Sequence, residues 1–263
     1  MAAIGGKPVR RDERLGVTRQ AAPARRCAPG TLLAKAALSV LALLAACILA
    51  LRWLPPPTSA FMLGAEFRAW REGRADFAPR QQWVDWADIA PSAGLAAVAA
   101  EDQLFFSHHG FNFDAMAQAF RRNQVSAHVR GGSTISQQTA KNLFLYPRRS
   151  FLRKGLEAGL TALLESLWSK TRILEVYLNF AQFGDGIYGV EAASRAFFGK
   201  PAKRLEPAEA ALLAAVLPNP LKLRADRPSA YVLKRRDWIL RQMRQLGEGL
   251  YPRDAHSGAD GKG

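Results

Sequence analysis

The sequence predicts a mainly α-helical protein, in which one helical domain follows an apolar segment. Leucines recur at helical spacing in residues 151–168, and the helix-start residues Ser92, Pro207 and Ser229 precede further runs of helical pattern. No stretch alternates apolar and polar residues over the length of a strand. Hydrophobic residues fill 49% of the 263 positions, which is enough for one domain with a substantial core.

The first part of the chain is basic and then apolar. Residues 1–30 hold seven Lys and Arg against Asp12 and Glu13, and so contribute +5 to the total charge of +15. Residues 31–54 follow as a nearly continuous apolar segment, long enough to span a bilayer and ending near Trp53. By the positive-inside rule, the basic tail predicts a cytoplasmic N-terminus.

Two alternatives compete with an uncleaved transmembrane anchor at residues 31–54. A cleaved signal peptide could use the small residues 58–60 as its cleavage site, and a buried helix of a soluble core is the other alternative. The basic lead is long for a signal peptide, and the apolar stretch exceeds the usual length of about 7–15 residues. Both features favour the anchor, and the basic flank also argues against a core helix.

The rest of the chain divides by composition. Residues 55–90 open with three prolines and are predicted to be a membrane-proximal lead-in, and residues 91–247 are predicted to be the helical domain. Residues 248–263 are rich in Gly, Asp and Lys and are predicted to be disordered. The two cysteines, Cys27 and Cys47, lie before the lead-in, and no zinc-binding spacing of Cys and His is present.

Residues 184–189 match the GxGxxG pattern of dinucleotide-binding loops. That pattern binds pyrophosphate only where it joins a strand to a helix in a βαβ unit. The preceding YLNFAQF is helical in pattern and no βαβ unit surrounds it, so a glycine-rich turn is predicted.

Two acids are candidates for chemistry. Glu101 follows the apolar run LAAVAA, and a carboxylate at the edge of a core is partly desolvated, which raises its pKa toward the range of a useful base. The alternative is a solvated helix end. Glu157 lies in a leucine-rich helix one turn after Arg153, and a surface i,i+4 ion pair is an equally good explanation of that spacing.

The stretch RGGSTISQQTAKNLFLYPRRSFLRK, residues 130–154, combines small polar side chains with basic ones and contains no acid. The polar part could hold a sugar or an oxyanion, and the basic part creates a positive field suited to a phosphate or pyrophosphate. Attraction to anionic lipid headgroups, or a simple solvated face, is the alternative for the basic residues. They are Lys141, Arg148, Arg149, Arg153 and Lys154.

Five motifs resemble, in order and spacing, those of glycosyltransferase family 51, the peptidoglycan glycosyltransferases. They are EDQLFFSHHGFN, GGSTISQQTAKNLFL, RSFLRKGLEA, SKTRILEVYLNFAQFG and GIYGVEAASRAFFGK, and together they cover roughly residues 90–228. The sequence has no SxxK or KTG motif of a transpeptidase, and in this it resembles the monofunctional members of the family.

The resemblance implies a lysozyme-like helical domain that polymerises lipid II. Glu101 matches the catalytic base, and Glu157 matches a second glutamate that assists donor positioning or holds a divalent ion. No organic cofactor is implied; a Mg²⁺ or Mn²⁺ ion near the donor pyrophosphate is left open, with unknown ligands. The positions matching the pyrophosphate site are Lys141, Arg149, Arg153 and Lys154. The positions matching the lining of the cleft are Asp102, Phe105, His108, Ser133, Thr134, Gln137 and Asn142.

The implied setting is the bacterial inner membrane, crossed once, with the catalytic domain in the periplasm. The implied partners are lipid II, the growing glycan, the membrane, and proteins of cell division and cell-wall synthesis. No nucleic acid is expected, because the basic residues are not interleaved with aromatic ones.

Two other functions remain as alternatives. A lytic transglycosylase or lysozyme-like hydrolase would act on the same polymer but has no use for a pyrophosphate-binding cluster. An inactive, membrane-anchored scaffold of the division machinery is the second, and the presence of the required residue type at each matched catalytic position counts against it.

Overall fold

The computed structural model describes residues 29–125, 132–146 and 150–247. The chain divides into two compact units, Met1–Leu43 and Leu44–Gly263. The helices are α1 (Pro29–Ala50), α2 (Ala60–Arg71), α3 (Pro91–Glu101), α4 (Phe113–Val125), α5 (Ile135–Phe144), α6 (Phe151–Leu167), α7 (Lys170–Phe180), α8 (Val190–Phe198), α9 (Pro207–Val216) and α10 (Ala230–Leu246). Short 3₁₀ turns lie at Trp86–Asp88 and Ala202–Arg204. Most of the predicted basic tail and the whole predicted disordered tail lie outside the described residues.

The prediction of a mainly helical protein is confirmed. Helix α10 begins after Ser229, whose side chain accepts a hydrogen bond from Val232 N, and it ends at Gly247 as predicted. Helix α9 begins at Pro207 as predicted, because proline at the first helical position sacrifices no hydrogen bond. The prediction that Ser92 caps α3 was wrong. That helix begins one residue earlier, at Pro91, and the Ser92 hydroxyl donates to Leu205 O instead.

A small antiparallel hairpin follows α7, where the sequence showed no strand. Strands β1 (Gln182–Gly184) and β2 (Ile187–Tyr188) are too short for an alternating pattern to be visible. The glycine-rich turn predicted here is confirmed. Gly189 has φ +82°, and a Cβ at this position would come within 2.6 Å of Asn179 O, so the chain can turn into α8 only with glycine.

The core of the larger unit is built around α3. Six of its eleven residues are buried and all six are alanine, glycine or valine. Small side chains allow the neighbouring backbones to approach closely, and α3 packs against α7, α9 and α10. Helix α5 packs against α2, α6 and α7. The C-terminal end of α3 and the N-terminal half of α5 therefore meet at one edge of the core.

Residues 81–86, within the predicted lead-in, are hydrogen-bonded to α7, and Arg80 before them is hydrogen-bonded to the hairpin. The Asn179 side chain accepts from Val84 N at 2.9 Å and donates to Val84 O at 2.9 Å. Glu175 accepts from Trp86 N at 2.7 Å. These bonds satisfy the backbone polar groups of a segment that has little regular structure of its own.

Arg172 joins the chain after α1 to α7. Its guanidinium donates to Leu51 O at 2.9 Å and to Leu54 O at 2.6 Å, and it pairs with Glu175 at 2.7 Å. One turn earlier, Trp168 Nε1 donates to Ile48 O at 2.8 Å. The carbonyl groups exposed at the end of a helix are thereby satisfied by side chains of another element.

Within the part of the chain that the structure describes, none of the helices combines the length and the apolar character needed to cross a membrane.

The Arg172 contacts predict a large loss of stability for Arg172→Met. The substitution leaves the Glu175 carboxylate, 10% exposed, without its cation, and breaking a buried charge pair is expected to lower the free energy of unfolding by about 3–5 kcal/mol. Urea denaturation of the detergent-solubilised chain measures this. Arg224→Gln, which breaks an exposed pair with Asp226, is the control and should unfold like the wild type. Equal midpoints for the two variants would contradict the assignment.

Candidate active site

A cleft of about 300 Å³ opens at the C-terminal end of α3. It is bounded by the end of α3, the beginning of α4 and the polar residues that precede α5. The side chains that line it are predominantly polar or acidic, as expected of a site for a sugar substrate. The end of α3 and the start of α5 contribute Glu101, Asp102, Ser133 and Thr134, and the α4 side contributes Asp114 and Gln118.

Glu101 is the last residue of α3 and its side chain is only 15% exposed. Burial raises the pKa of its carboxyl group, against the opposing effects of a hydrogen bond from Gln138 and the positive charge of Arg235. Gln138 Nε2 donates to one carboxylate oxygen at 3.0 Å, and Arg235 Nη2 lies 3.4 Å from the other. The predicted desolvation of Glu101 is therefore present, and the carboxylate is held on both sides.

Asp102 is buried and does not act as a free acid. Its oxygens lie 2.9 and 3.0 Å from His108 Nε2, and one of them accepts from Ile135 N at 3.0 Å. His108 Nδ1 accepts from Gly110 N at 3.1 Å, so the ring proton must be on Nε2, from which it is donated to Asp102. Burial raises the pKa of Asp102, chiefly against the His108 hydrogen bond. This network fixes the loop after Glu101 to the start of α5.

Gly110 completes the loop and can only be glycine. Its φ is +84°, and an added Cβ would lie 2.9 Å from side-chain atoms of both Glu165 and Thr161. Its carbonyl accepts from the Thr134 hydroxyl at 2.7 Å. The backbone of the loop is therefore packed directly onto α6 and tied to the N-cap of α5.

The polar stretch before and within α5 has both structural and site-facing members. Thr134 and Gln137 are buried and form the capping box of α5, in which each side chain accepts from the other's backbone N–H. Ser133 lines the cleft, whereas Phe105 is wholly buried. The Asn142 side chain is half-buried, and its Oδ1 has no hydrogen-bond partner within the described ranges.

The basic residues after the cleft surround Glu157. Its carboxylate is 3% exposed and accepts from Arg153 Nη1 at 2.9 Å and from Lys154 Nζ. The simple surface pair considered from the sequence is thus excluded. Burial lowers the pKa of Lys141. The negative charge of Glu157 opposes this lowering, and the positive charge of Arg153 adds to it. Arg149 lies outside the described residues.

Sequence reasoning counted Gln138 among the polar donors of residues 131–138 without assigning it a contact with Glu101, and it gave no role to Tyr177 or Arg235. Gln138 lies one helical turn before Lys141 and Asn142, so the i, i+3, i+4 spacing on α5 could have indicated that it faces the site. Tyr177 of α7, whose hydroxyl lies 3.4 Å from Gln138 Oε1, belongs to the motif SKTRILEVYLNFAQFG, but nothing in that motif indicates a contact with residue 138. Arg235 of α10 lies outside all five motifs, and no local pattern identifies its contact with Glu101.

No group of three or more His, Cys, Asp and Glu side chains in the described ranges could hold a metal ion. Near the basic residues, the available carboxylate is that of Glu157, and both its oxygens already accept from cations. The donor set there does not fit a protein-held Mg²⁺ or Mn²⁺ ion, which prefers oxygen ligands free of such pairing.

Residues 71–244 match the family model described as transglycosylase. The chain is 55% identical over 213 residues to the biosynthetic peptidoglycan transglycosylase of Cronobacter sakazakii, which covers 81% of this chain and 88% of the relative. It is 54% identical over 228 residues to the proteins of the same name from Salmonella agona and Salmonella enteritidis, which covers 85% of this chain and 94% of each relative.

The raised pKa of Glu101 predicts that Glu101→Gln stabilises the fold as pH rises. Ionising a group whose pKa is raised in the folded state costs folding free energy, and this cost sets in above the ordinary value of 4.5. The variant should melt with the wild type near about pH 4 and at a higher temperature near about pH 8. Glu66→Gln, at an exposed position of α2, is the control and should follow the wild type at both. A lower melting temperature for Glu101→Gln near neutral pH would contradict the desolvation.

Proposed function

The chain belongs to the transglycosylase family and is a peptidoglycan glycosyltransferase, and from this we propose that it polymerises lipid II with Glu101 as the general base. The observation that supports this role is the placement of a partly exposed carboxylate, with a raised pKa, in a polar cleft. A carboxylate in this state can accept a proton near neutral pH more readily than a solvated glutamate can.

The proposed reaction is a single inverting displacement. Glu101 removes the proton from the 4-hydroxyl group of the acceptor's GlcNAc as that oxygen attacks C1 of the donor's MurNAc. The bond from C1 to the pyrophosphate oxygen breaks, and undecaprenyl pyrophosphate leaves with the bonding electrons. A β-1,4 linkage forms, and the proton remains on Glu101 until it is lost to solvent.

The leaving pyrophosphate requires neutralisation, which we assign to Lys141, Arg153 and Lys154. The Arg153 side chain is 20% exposed and that of Lys154 is 47% exposed, so both can reach a ligand at the surface. Glu157 holds both of them in one place, which lowers the reorganisation needed when the negative charge develops. In this proposal Glu157 positions the cations and takes no part in proton transfer.

A divalent ion, if one is bound, would be carried by the phosphate oxygens of the substrate. Mg²⁺ commonly binds through phosphates and one or two carboxylates, and it retains several water molecules. The paired state of Glu157 does not support a dedicated protein site. The proposed reaction therefore involves no metal ion held by the protein.

We propose that the enzyme works at the bacterial inner membrane, with residues 31–54 as its anchor and its catalytic domain in the periplasm. The apolar sequence and the basic tail before it support this location. An anchored enzyme would meet a lipid-linked substrate and a lipid-linked product at the same surface.

Glu101→Gln is expected to abolish polymerisation. An amide cannot accept the proton, so the rate of glycan formation from purified lipid II should fall by about 10²–10⁴-fold. Gel analysis of labelled lipid II with the detergent-solubilised chain measures this, and Glu66→Gln is the matched control. If the wild type cleaves preformed glycan but leaves lipid II untouched, the lytic alternative is correct. Inactivity toward both would favour the scaffold.

Lys141→Gln is expected to lower the rate by about 10²-fold, because it removes one charge that stabilises the leaving group. The loss should be the same with Mg²⁺ and with EDTA, and the wild type should retain most of its rate in EDTA. Lys200→Gln is the control, because Lys200 pairs with Glu209. A wild type that is inactive in EDTA and restored by Mg²⁺ would contradict the proposed route without a metal.

A further inference from the structure

Glu101 is held by Gln138 of α5 and Arg235 of α10, and Gln138 is in turn contacted by Tyr177 of α7. We propose that Arg235 and Tyr177 are positioning residues for Glu101: Arg235 acts on its charge, and Tyr177 acts through Gln138 on its orientation. This inference rests on the proposed function of Glu101 as the base. Neither residue has to touch the substrate to act in this way.

Arg235 reaches Glu101 from α10, which packs against α3. The Nη2 to Oε1 distance of 3.4 Å is at the outer limit of a hydrogen bond, so the interaction is chiefly between charges. The Arg235 side chain is 22% exposed and that of Glu101 is 15% exposed, and this burial weakens screening by solvent. A long contact of this kind favours the ionised carboxylate while leaving a lone pair of Oε1 available for the incoming proton.

The rest of the Arg235 side chain supports a role directed at Glu101. Its Nε is buried and has no hydrogen-bond partner within the described residues. Leaving a buried donor unsatisfied is costly, and a structural arginine would normally be placed so that backbone carbonyls accept from it. The unsatisfied Nε of Arg235 is explained if the guanidinium is placed to interact with the Glu101 carboxylate rather than to satisfy all of its own donors.

Tyr177 fixes the orientation of the Gln138 amide. The Tyr177 side chain is buried, and burial raises its pKa well above the ordinary value, so the hydroxyl stays protonated and can donate. Its oxygen lies 3.4 Å from Gln138 Oε1, which leaves Nε2 directed at Glu101 at 3.0 Å. A flipped amide would place Oε1 against the Glu101 carboxylate, with two acceptors facing each other, and the Tyr177 hydroxyl would have to accept from Nε2 instead of donating to Oε1. The hydroxyl, by donating to Oε1, therefore supports the amide orientation that donates to the base.

Other charged groups also face Glu101. Asp102, next in sequence, raises its pKa, and Lys141 of α5 lowers it. Lys141 is itself partly buried, and that burial lowers its pKa. Removing the positive charge of Arg235 should raise the pKa of Glu101 and move the acidic limb of the activity profile to higher pH.

The test is the pH dependence of kcat/KM on lipid II for four variants and the wild type. Arg235→Gln should move the acidic limb upward by about one pH unit, since a close opposite charge lowers a carboxyl pKa by at least that amount. Arg235→Lys keeps the positive charge, so its acidic limb should lie close to that of the wild type. Arg236→Gln is the matched control, because Arg236 pairs with Asp237 on the same helix and should leave the limb in place.

Tyr177→Phe removes one hydroxyl group and keeps the ring. It should lower kcat by about 10-fold through loss of the positioned amide, with KM and the acidic limb close to wild type. If either residue had a purely structural role, its substitution would lower the melting temperature. At a temperature where the variant is folded, the acidic limb and kcat would then be unchanged. An unmoved limb in Arg235→Gln, or an unchanged kcat in Tyr177→Phe, would overturn the corresponding half of the inference.

Failure of this inference can be told apart from failure of the proposed function. A wild type that does not polymerise lipid II, or a Glu101→Gln variant that keeps its rate, overturns the role of Glu101 itself. If both behave as expected and the Arg235 and Tyr177 variants match the wild type, the base is correctly assigned and only its positioning residues are wrong. Melting temperatures of all variants, measured in the same detergent, show whether each one is folded.

Discussion

The desolvation of the Glu101 carboxylate is the constraint on which the site depends. Glu101 ends a helix whose buried face is made of alanine, glycine and valine, so the carboxylate is brought close to the core rather than projected into water. The end of a helix also carries partial negative charge, which adds to the cost of a second negative charge there. The fold offsets this cost with one amide and two cations, from α5 and α10.

The neighbouring carboxylate, that of Asp102, has a structural role. Asp102 is next to Glu101 in sequence, but its oxygens are fully engaged by His108 and by the first backbone N–H of α5. Gly110 lets the same loop pack onto α6. Two adjacent carboxylates thus have different roles because their hydrogen-bond partners differ, one being available for chemistry and the other fastening two elements together.

The basic residues are likewise arranged around a buried acid, Glu157. Lys141 lies between the influence of Glu101 and that of Glu157, while Glu157 holds Arg153 and Lys154. Without the buried acid, three cations would repel one another in a small space. With it, a net positive charge remains and the positions of Arg153 and Lys154 are fixed by their bonds to Glu157, which is the preorganisation that the proposed role at the leaving group requires.

The sequence by itself determined the helical class, several helix boundaries, the desolvated acid Glu101 and the basic cluster, because all of these are local patterns. Helical spacing, a capping serine and an acid after an apolar run need no information about distant residues. It did not indicate which partner Gln138 has, because that partner lies on another helix. Only the tertiary structure decided that Arg235 lies against Glu101 and that Tyr177 lies against Gln138. Those contacts join residues 39 to 134 positions apart, and they exist only because α5, α7 and α10 pack around the end of α3.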